Sequence, residues 1–218
     1  MYEIEIKSLL GEEVYAEAFR KKLLGQGGKL TGKNSQLNHY FQGEPSSFFK
    51  KIKDVVTESV DDLEEILTKG KKHSIRTRKK NDEVILVIKA SIDSGTSENA
   101  VSRMEYESVV PLTLDELDAY LLDAGLTYQA KWSRLREEYA YDDLAITLDR
   151  NAGYGWLSEF EKVIEDEKEA EKVRMHLLDT MKRFDLQELS QDRLERMFAH
   201  YNNSWQEYYG TDKVFVVE

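Results

Sequence analysis

The chain has 218 residues, no cysteine and a formal net charge of −11, with 33% of its residues charged. Disulfides and thiolate metal sites are excluded, and neither nucleic acid nor an anionic membrane is an expected partner. No apolar signal segment opens the sequence and no stretch is long and apolar enough to span a bilayer, so a cytoplasmic location is expected.

The first stretch, Tyr2-Glu3-Ile4-Glu5-Ile6-Lys7, alternates as a strand. Glu3, Glu5 and Lys7 fall on one face, and Tyr2, Ile4 and Ile6 on the natural core face. Glu12 to Leu24 reads as an amphipathic helix with Val14, Ala18, Leu23 and Leu24 on its apolar side, stopped by Gly25-Gln26-Gly27-Gly28. That glycine cluster follows a helix and no Gly-Lys-Ser/Thr comes after it, so it is a turn and not a phosphate loop. Gln36 to Phe41 predicts a second strand. Ser46 to Thr68 carries apolar residues at helical spacing, as one long helix or two short ones, ended by Lys69-Gly70-Lys71-Lys72.

From His73 the period returns to two. Arg76, Arg78 and Lys80 alternate with Ile75, Thr77 and Lys79, Asn81-Asp82 signals a turn, and Val84 to Ala90 continues a hairpin that carries Lys89. Ile92 to Ala100 reads as a polar loop. Val101 to Val110 is a strand with Arg103, Glu105 and Glu107 on one face and Met104 and Tyr106 on the other. Thr113 to Glu116 is a capping box for a helix that ends near Ala124-Gly125. Tyr128 to Tyr141, with Lys131, Arg134, Arg136 and Glu138, precedes short strands at Ala145 to Asp149 and Trp156 to Ile164. The last of these carries Glu159 and Glu161. A helix with an acidic start at Glu165 to Glu171 and an apolar face of Val173, Leu177, Leu178 and Met181 follows. A second helix lies around Leu189 to Tyr201, and Tyr201, Trp205, Tyr208 and Tyr209 are expected to pack as a core or cap cluster.

The charges sort by sign. Glu3, Glu5, Glu159 and Glu161 come from the first and last strands, and Arg76, Arg78, Lys89, Arg103, Arg134 and Arg136 from the middle ones. In one antiparallel sheet with outer helices, the apolar face lies under the helices, and closure would gather the charged face in a polar lumen. Crowded carboxylates need a cation, and with no cysteine and no suitable His pair, Mg²⁺ or Mn²⁺ with oxygen ligands is expected. The guanidinium groups need an anion and fit phosphate oxygens. A polyphosphate satisfies both halves.

These motifs, in this order, resemble the CYTH superfamily, the triphosphate tunnel metalloenzymes. Glu3-Ile4-Glu5-Ile6-Lys7 resembles its E-x-E-x-K signature, Arg76-Thr77-Arg78 with Lys89 its R-x-R and strand lysine, and Arg103 to Glu107 its R-x-E-x-E strand. Arg134 to Tyr139 is similar to its K-x-R-x-x-Y segment, with arginine for the usual lysine. Asp149 through Gly155 to Glu161 is similar to its D…G…E-x-E ending. The helical segment between Gly43 and His73 is longer than the family's usual connection, and the His-Phe element of some class IV adenylyl cyclases is absent.

The resemblance implies an α+β fold, an eight-stranded antiparallel β-barrel or tunnel with a charged lumen and helices packed outside. It implies one domain over 1–218: a barrel core at 1–165, a helical insertion at about 46–68, and a C-terminal helical segment at 166–210. The implied activity is metal-dependent hydrolysis of inorganic, thiamine or nucleoside triphosphate, by a monomer or homodimer. The alternatives are a class IV adenylyl cyclase making cyclic AMP and pyrophosphate from ATP, and a non-catalytic polyphosphate-binding module. Glu3, Glu5, Glu159 and Glu161 would hold Mg²⁺ or Mn²⁺, with Glu105 and Glu107 assisting. Arg76, Arg78, Lys89, Arg103, Arg134 and Arg136 would bind phosphates. Lys7, with Tyr40, would help activate water, or Lys7 would bind phosphate instead.

Overall fold

In a computed structural model, which describes residues 2–91 and 103–217, eight strands form one sheet with six α-helices. The polar loop expected at 92–100 and the strand start expected at Val101 lie outside the described residues. In chain order the elements are β1 (Tyr2–Gly11), α1 (Glu13–Gly25), β2 (Lys29–Gln42), α2 (Phe49–Ile52), α3 (Val60–Lys69), β3 (Lys71–Lys80), β4 (Glu83–Ser91), β5 (Arg103–Val109), α4 (Leu114–Asp123), β6 (Thr127–Tyr141), β7 (Leu144–Asn151), β8 (Gly155–Ile164), α5 (Ala170–Arg183) and α6 (Gln191–Ser204). The sheet order is β1-β8-β7-β6-β2-β3-β4-β5, with antiparallel neighbours.

The expected antiparallel strands and flanking helices are present, and the ladder is open, with β1 and β5 as its end strands. Each end strand has a backbone carbonyl engaged by a neighbouring segment. Leu189 N–H donates to Lys7 C=O at 2.7 Å, and Thr57 Oγ1 donates to Val109 C=O at 2.8 Å. Such contacts occupy edge groups that would otherwise stand open to another strand. Among the described residues no helix is long and apolar enough to cross a membrane.

The chain divides into two compact units, one of Met1–Asn34 with Ser133–Glu218 and one of Ser35–Trp132. In the first, Ile4, Ile6 and Phe160 are buried on the face covered by α1 and α5. The apolar stripe of α1 differs from the expected one. Ala16, Phe19 and Leu23 are buried, while Val14 and Leu24 are exposed and Ala18 faces solvent. Phe19 sets that rotation, because its ring meets Phe160 at 6.0 Å and Phe184 at 5.6 Å. Tyr201 is fully buried against Tyr154, Tyr208 and Phe215, the packing role expected for the C-terminal aromatic cluster.

In the second unit, Ile75, Leu86, Ile88 and Tyr106 form a core with α3 and α4. The helical insertion is two short helices, α2 and α3. Gly70 follows α3, and Lys71-Lys72 already belongs to β3, where a register irregularity precedes Ser74. Thr113 and Glu116 form the expected capping box of α4.

Gly155 sets the entry to β8. Its φ of +72° is left-handed, and an added Cβ would lie 2.3 Å from the Gly11 carbonyl oxygen. Gly155→Ala should therefore lower unfolding stability by more than about 1 kcal/mol, read by chemical denaturation. An unchanged midpoint would mean that β1 and β8 do not need this close approach.

Candidate active site

Strand registry in the first unit gathers the predicted acidic residues. Glu5 lies directly opposite Glu161, Lys7 opposite Glu159, and Glu3 one pleat further along. Period-two alternation sends all five to the face away from α1 and α5. On β7 and β6 the same face carries Thr147, Asp149, Arg134 and Arg136.

Lys7 Nζ lies 2.6 Å from Glu5 Oε1 and 3.5 Å from Glu159 Oε1. Arg136 Nη2 donates to Glu159 Oε2 at 2.8 Å, while its Nε and Nη2 grip Asp149 at 2.7 and 2.5 Å. Arg134 Nη1 reaches the same Asp149 at 3.2 Å. Burial alone would raise the Glu159 carboxyl, but the charges of Lys7, Arg136 and Arg134 prevail and hold it down at about 2. Burial likewise works against a charged Lys7, yet Glu159 and Glu5 raise its amine above the usual lysine value. Lys7 is therefore protonated in this arrangement.

Glu161 behaves oppositely. Burial, reinforced by the negative charges of Glu3, Glu5 and Glu159, pushes its carboxyl up to about 7. Like charges directly opposite across two strands repel, and a divalent cation with oxygen ligands relieves that repulsion. The donor set fits such an ion. Among the described residues no three acidic or histidine side chains already converge at ligating distance. Glu5 is turned to Lys7 and Glu159 to Arg136, so ion binding would compete with these pairs.

The second unit carries most of the predicted cations. Arg76 stands opposite Tyr40 and Arg78 opposite Asn38 across β2 and β3. Arg76 Nη1 donates to Tyr40 Oη at 2.8 Å and its guanidinium lies over the Tyr40 ring at 5.4 Å. Arg78 donates from Nε to Asn38 Oδ1 at 2.9 Å and from Nη1 to Glu107 at 3.0 Å. Lys89 pairs with Glu105 at 2.9 Å. The backbone of Arg103 pairs with Ser91 at the start of β5. Glu105 and Glu107 thus serve as counter-ions to Lys89 and Arg78, in a different unit from the four carboxylates of β1 and β8.

The family profile described as CYTH domain matches residues 1–194. The chain belongs to the CYTH domain family. No curated protein matches it by sequence. Among solved structures, this CYTH protein is similar to a Pyrococcus horikoshii protein at 18% identity and a TM-score of 0.62, over 91% of this chain and 99% of that one. It is similar to a candidate adenylate cyclase from Vibrio parahaemolyticus at 14% identity and 0.59, over 91% and 98%. It is also similar to a candidate adenylyl cyclase from Hippeastrum with a dominant triphosphatase activity, at 15% identity and 0.54, over 90% and 95%. At these identities the likeness shows the fold.

The sequence placed Asp149 of this CYTH chain in the D…G…E-x-E ending without a partner; it is 1% exposed and holds both Arg134 and Arg136. Its signal was present, since Asp149 and Thr147 alternate with Ile146 and Leu148. Asn38, which orients Arg78, is also buried and was missed.

The pH dependence follows from Glu161. Its folded-state value of about 7 exceeds the ordinary 4.5. Its contribution to stability is therefore complete below pH 4.5 and is lost as pH rises through 7. Melting temperatures in metal-free buffer should fall across that window, and Glu161→Gln should flatten the slope. An equal slope in both proteins would remove Glu161 as its source.

Proposed function

We propose that the chain is a divalent-metal-dependent phosphohydrolase that acts on a small-molecule triphosphate. The carrying observation is the Glu3, Glu5, Glu159 and Glu161 cluster on β1 and β8, with Arg134 and Arg136 on the same face. We take residues 1–218 as one functional domain, because the family match draws on both compact units.

One or two Mg²⁺ or Mn²⁺ ions held by Glu3, Glu5, Glu159 and Glu161 would neutralise charge and polarise phosphoryl oxygens. Arg134 and Arg136 bind phosphate oxygens and stabilise the charge that shifts as the bond breaks. In the second unit, Arg76, Arg78, Lys89 and Arg103 carry the same chemistry. In the reaction, a water oxygen bonds to the terminal phosphorus and the bridging P–O bond breaks. Its electron pair leaves with the departing diphosphate, and the proton lost by the water passes to a phosphate oxygen or to solvent. With its amine held above the usual lysine value beside Glu159 and Glu5, Lys7 suits the phosphate-binding role better than that of activating water. Tyr40 holds Arg76 through its hydroxyl and ring. Glu105 and Glu107 hold Lys89 and Arg78 as ion-pair partners.

The cyclase reading uses the same residues with the ribose hydroxyl attacking the α-phosphorus. The Hippeastrum cyclase candidate of similar fold, with its dominant triphosphatase activity, supports hydrolysis first. A panel of inorganic triphosphate, thiamine triphosphate and ATP, with Mg²⁺ or Mn²⁺, should release phosphate. Glu159→Ala should abolish metal-dependent turnover, and Arg136→Ala should lower kcat by about 10²–10³-fold. Cyclic AMP with pyrophosphate as the product would instead establish the cyclase. Saturable binding without product across the panel would establish a binding module.

A further inference from the structure

On the helix side of the second unit lies a polar network that the proposed chemistry does not use. Asp118 of α4 is 2% exposed and almost surrounded by donors. Thr77 Oγ1 donates to Oδ1 at 2.5 Å, Tyr128 Oη donates to Oδ2 at 2.6 Å, and His39 Nδ1 lies 2.6 Å from Oδ2. Lys131 Nζ is 3.9 Å from Oδ2 and sits over the Tyr128 ring at 4.0 Å. One helix carboxylate thus ties together β2, β3 and β6. Burial alone would raise this carboxyl, but the hydrogen bonds from His39, Thr77 and Tyr128 lower it.

The place of this knot in the registry is what matters. His39 and Thr77 face each other across β2 and β3. The pairs flanking them are Asn38 with Arg78 and Tyr40 with Arg76, and both are hydrogen-bonded on the opposite face. With side chains alternating at period two, the middle pair is anchored to α4 and the outer pairs project to the charged face. A shift or twist of β2 against β3 that broke the Asp118 knot would displace both arginines.

We propose that Asp118 is a positioning residue for the phosphate-binding face of this unit, acting through His39 and Thr77 to fix Arg76 and Arg78. This rests on the proposed function for the identity of the anion, but the positioning itself can be read without any ligand. A merely structural carboxylate would stabilise the fold without selectively holding these two arginines.

The experiment compares wild type, Asp118→Asn and Leu63→Ala, the last removing a fully buried side chain from the same core through α3. Hydrogen exchange at residues 38–40 and 76–78 and the affinity for inorganic triphosphate are measured well below each melting temperature. Asp118→Asn should speed exchange at those residues and weaken triphosphate binding about tenfold, as expected when a charge-assisted contact is misaligned. Leu63→Ala should lower the melting temperature with local exchange and affinity close to wild type. Asp118→Asn behaving like Leu63→Ala in both readouts would overturn the proposal. If wild type binds no triphosphate, the proposed function fails, and the exchange comparison still decides the positioning role.

Discussion

Glu5 and Glu161 face each other across adjacent strands, with Glu3 and Glu159 close enough to raise the charge density further. A sheet built only for stability would not place carboxylates there, because each desolvates the others and like charges repel. The surrounding unit is arranged around that repulsion. Lys7 and Arg136 answer Glu159 from opposite sides, and Asp149, buried behind, answers Arg136 and Arg134 in turn. The compensation is unequal, leaving Glu159 firmly ionised and Glu161, pushed up to about 7, only partly ionised at neutral pH. Such a cluster of oxygen donors is chemically suited to a hard cation.

The two faces of each strand divide the work. In the first unit the face toward α1 and α5 is apolar, with Phe19, Phe160 and Phe184 in mutual contact. In the second unit the face toward α3 and α4 is largely apolar, and its buried polar residues His39, Thr77 and Ser108 are hydrogen-bonded, the first two to Asp118 of α4. A buried polar group that is fully partnered specifies one registry at modest cost, whereas an apolar pair tolerates slippage. Stability thus comes from the continuous apolar layers, and alignment of the charged face from a few polar exceptions within them.

Much of this was legible in the sequence because the strand period is short and the charges obey it. Glu3, Glu5 and Lys7, then Arg76 and Arg78, then Glu159 and Glu161, each declare a face within a few residues. The α1 stripe was misread because thirteen residues with several small apolar side chains admit more than one helical phase, and Phe19 chooses among them only through distant Phe160 and Phe184. Asp149 was placed in a motif, but its grip on two arginines was not read, for a related reason. An acid amid Ile146, Leu148 and Arg150 has no local partner, and its meaning comes from Arg134 and Arg136 one strand away. The counter-ion roles of Glu105 and Glu107 were also invisible, since alternation gives a side chain's face but not its pairing.

The central claim is that the carboxylates of β1 and β8 exist to hold a divalent cation beside phosphate-binding arginines. The most direct measurement is an anomalous-difference map of crystals grown with Mn²⁺ and a non-hydrolysable triphosphate analogue. The account predicts a manganese peak among Glu3, Glu5, Glu159 and Glu161, with phosphate density toward Arg134 and Arg136. A peak elsewhere, with Glu5 still on Lys7 and Glu159 still on Arg136, would contradict it.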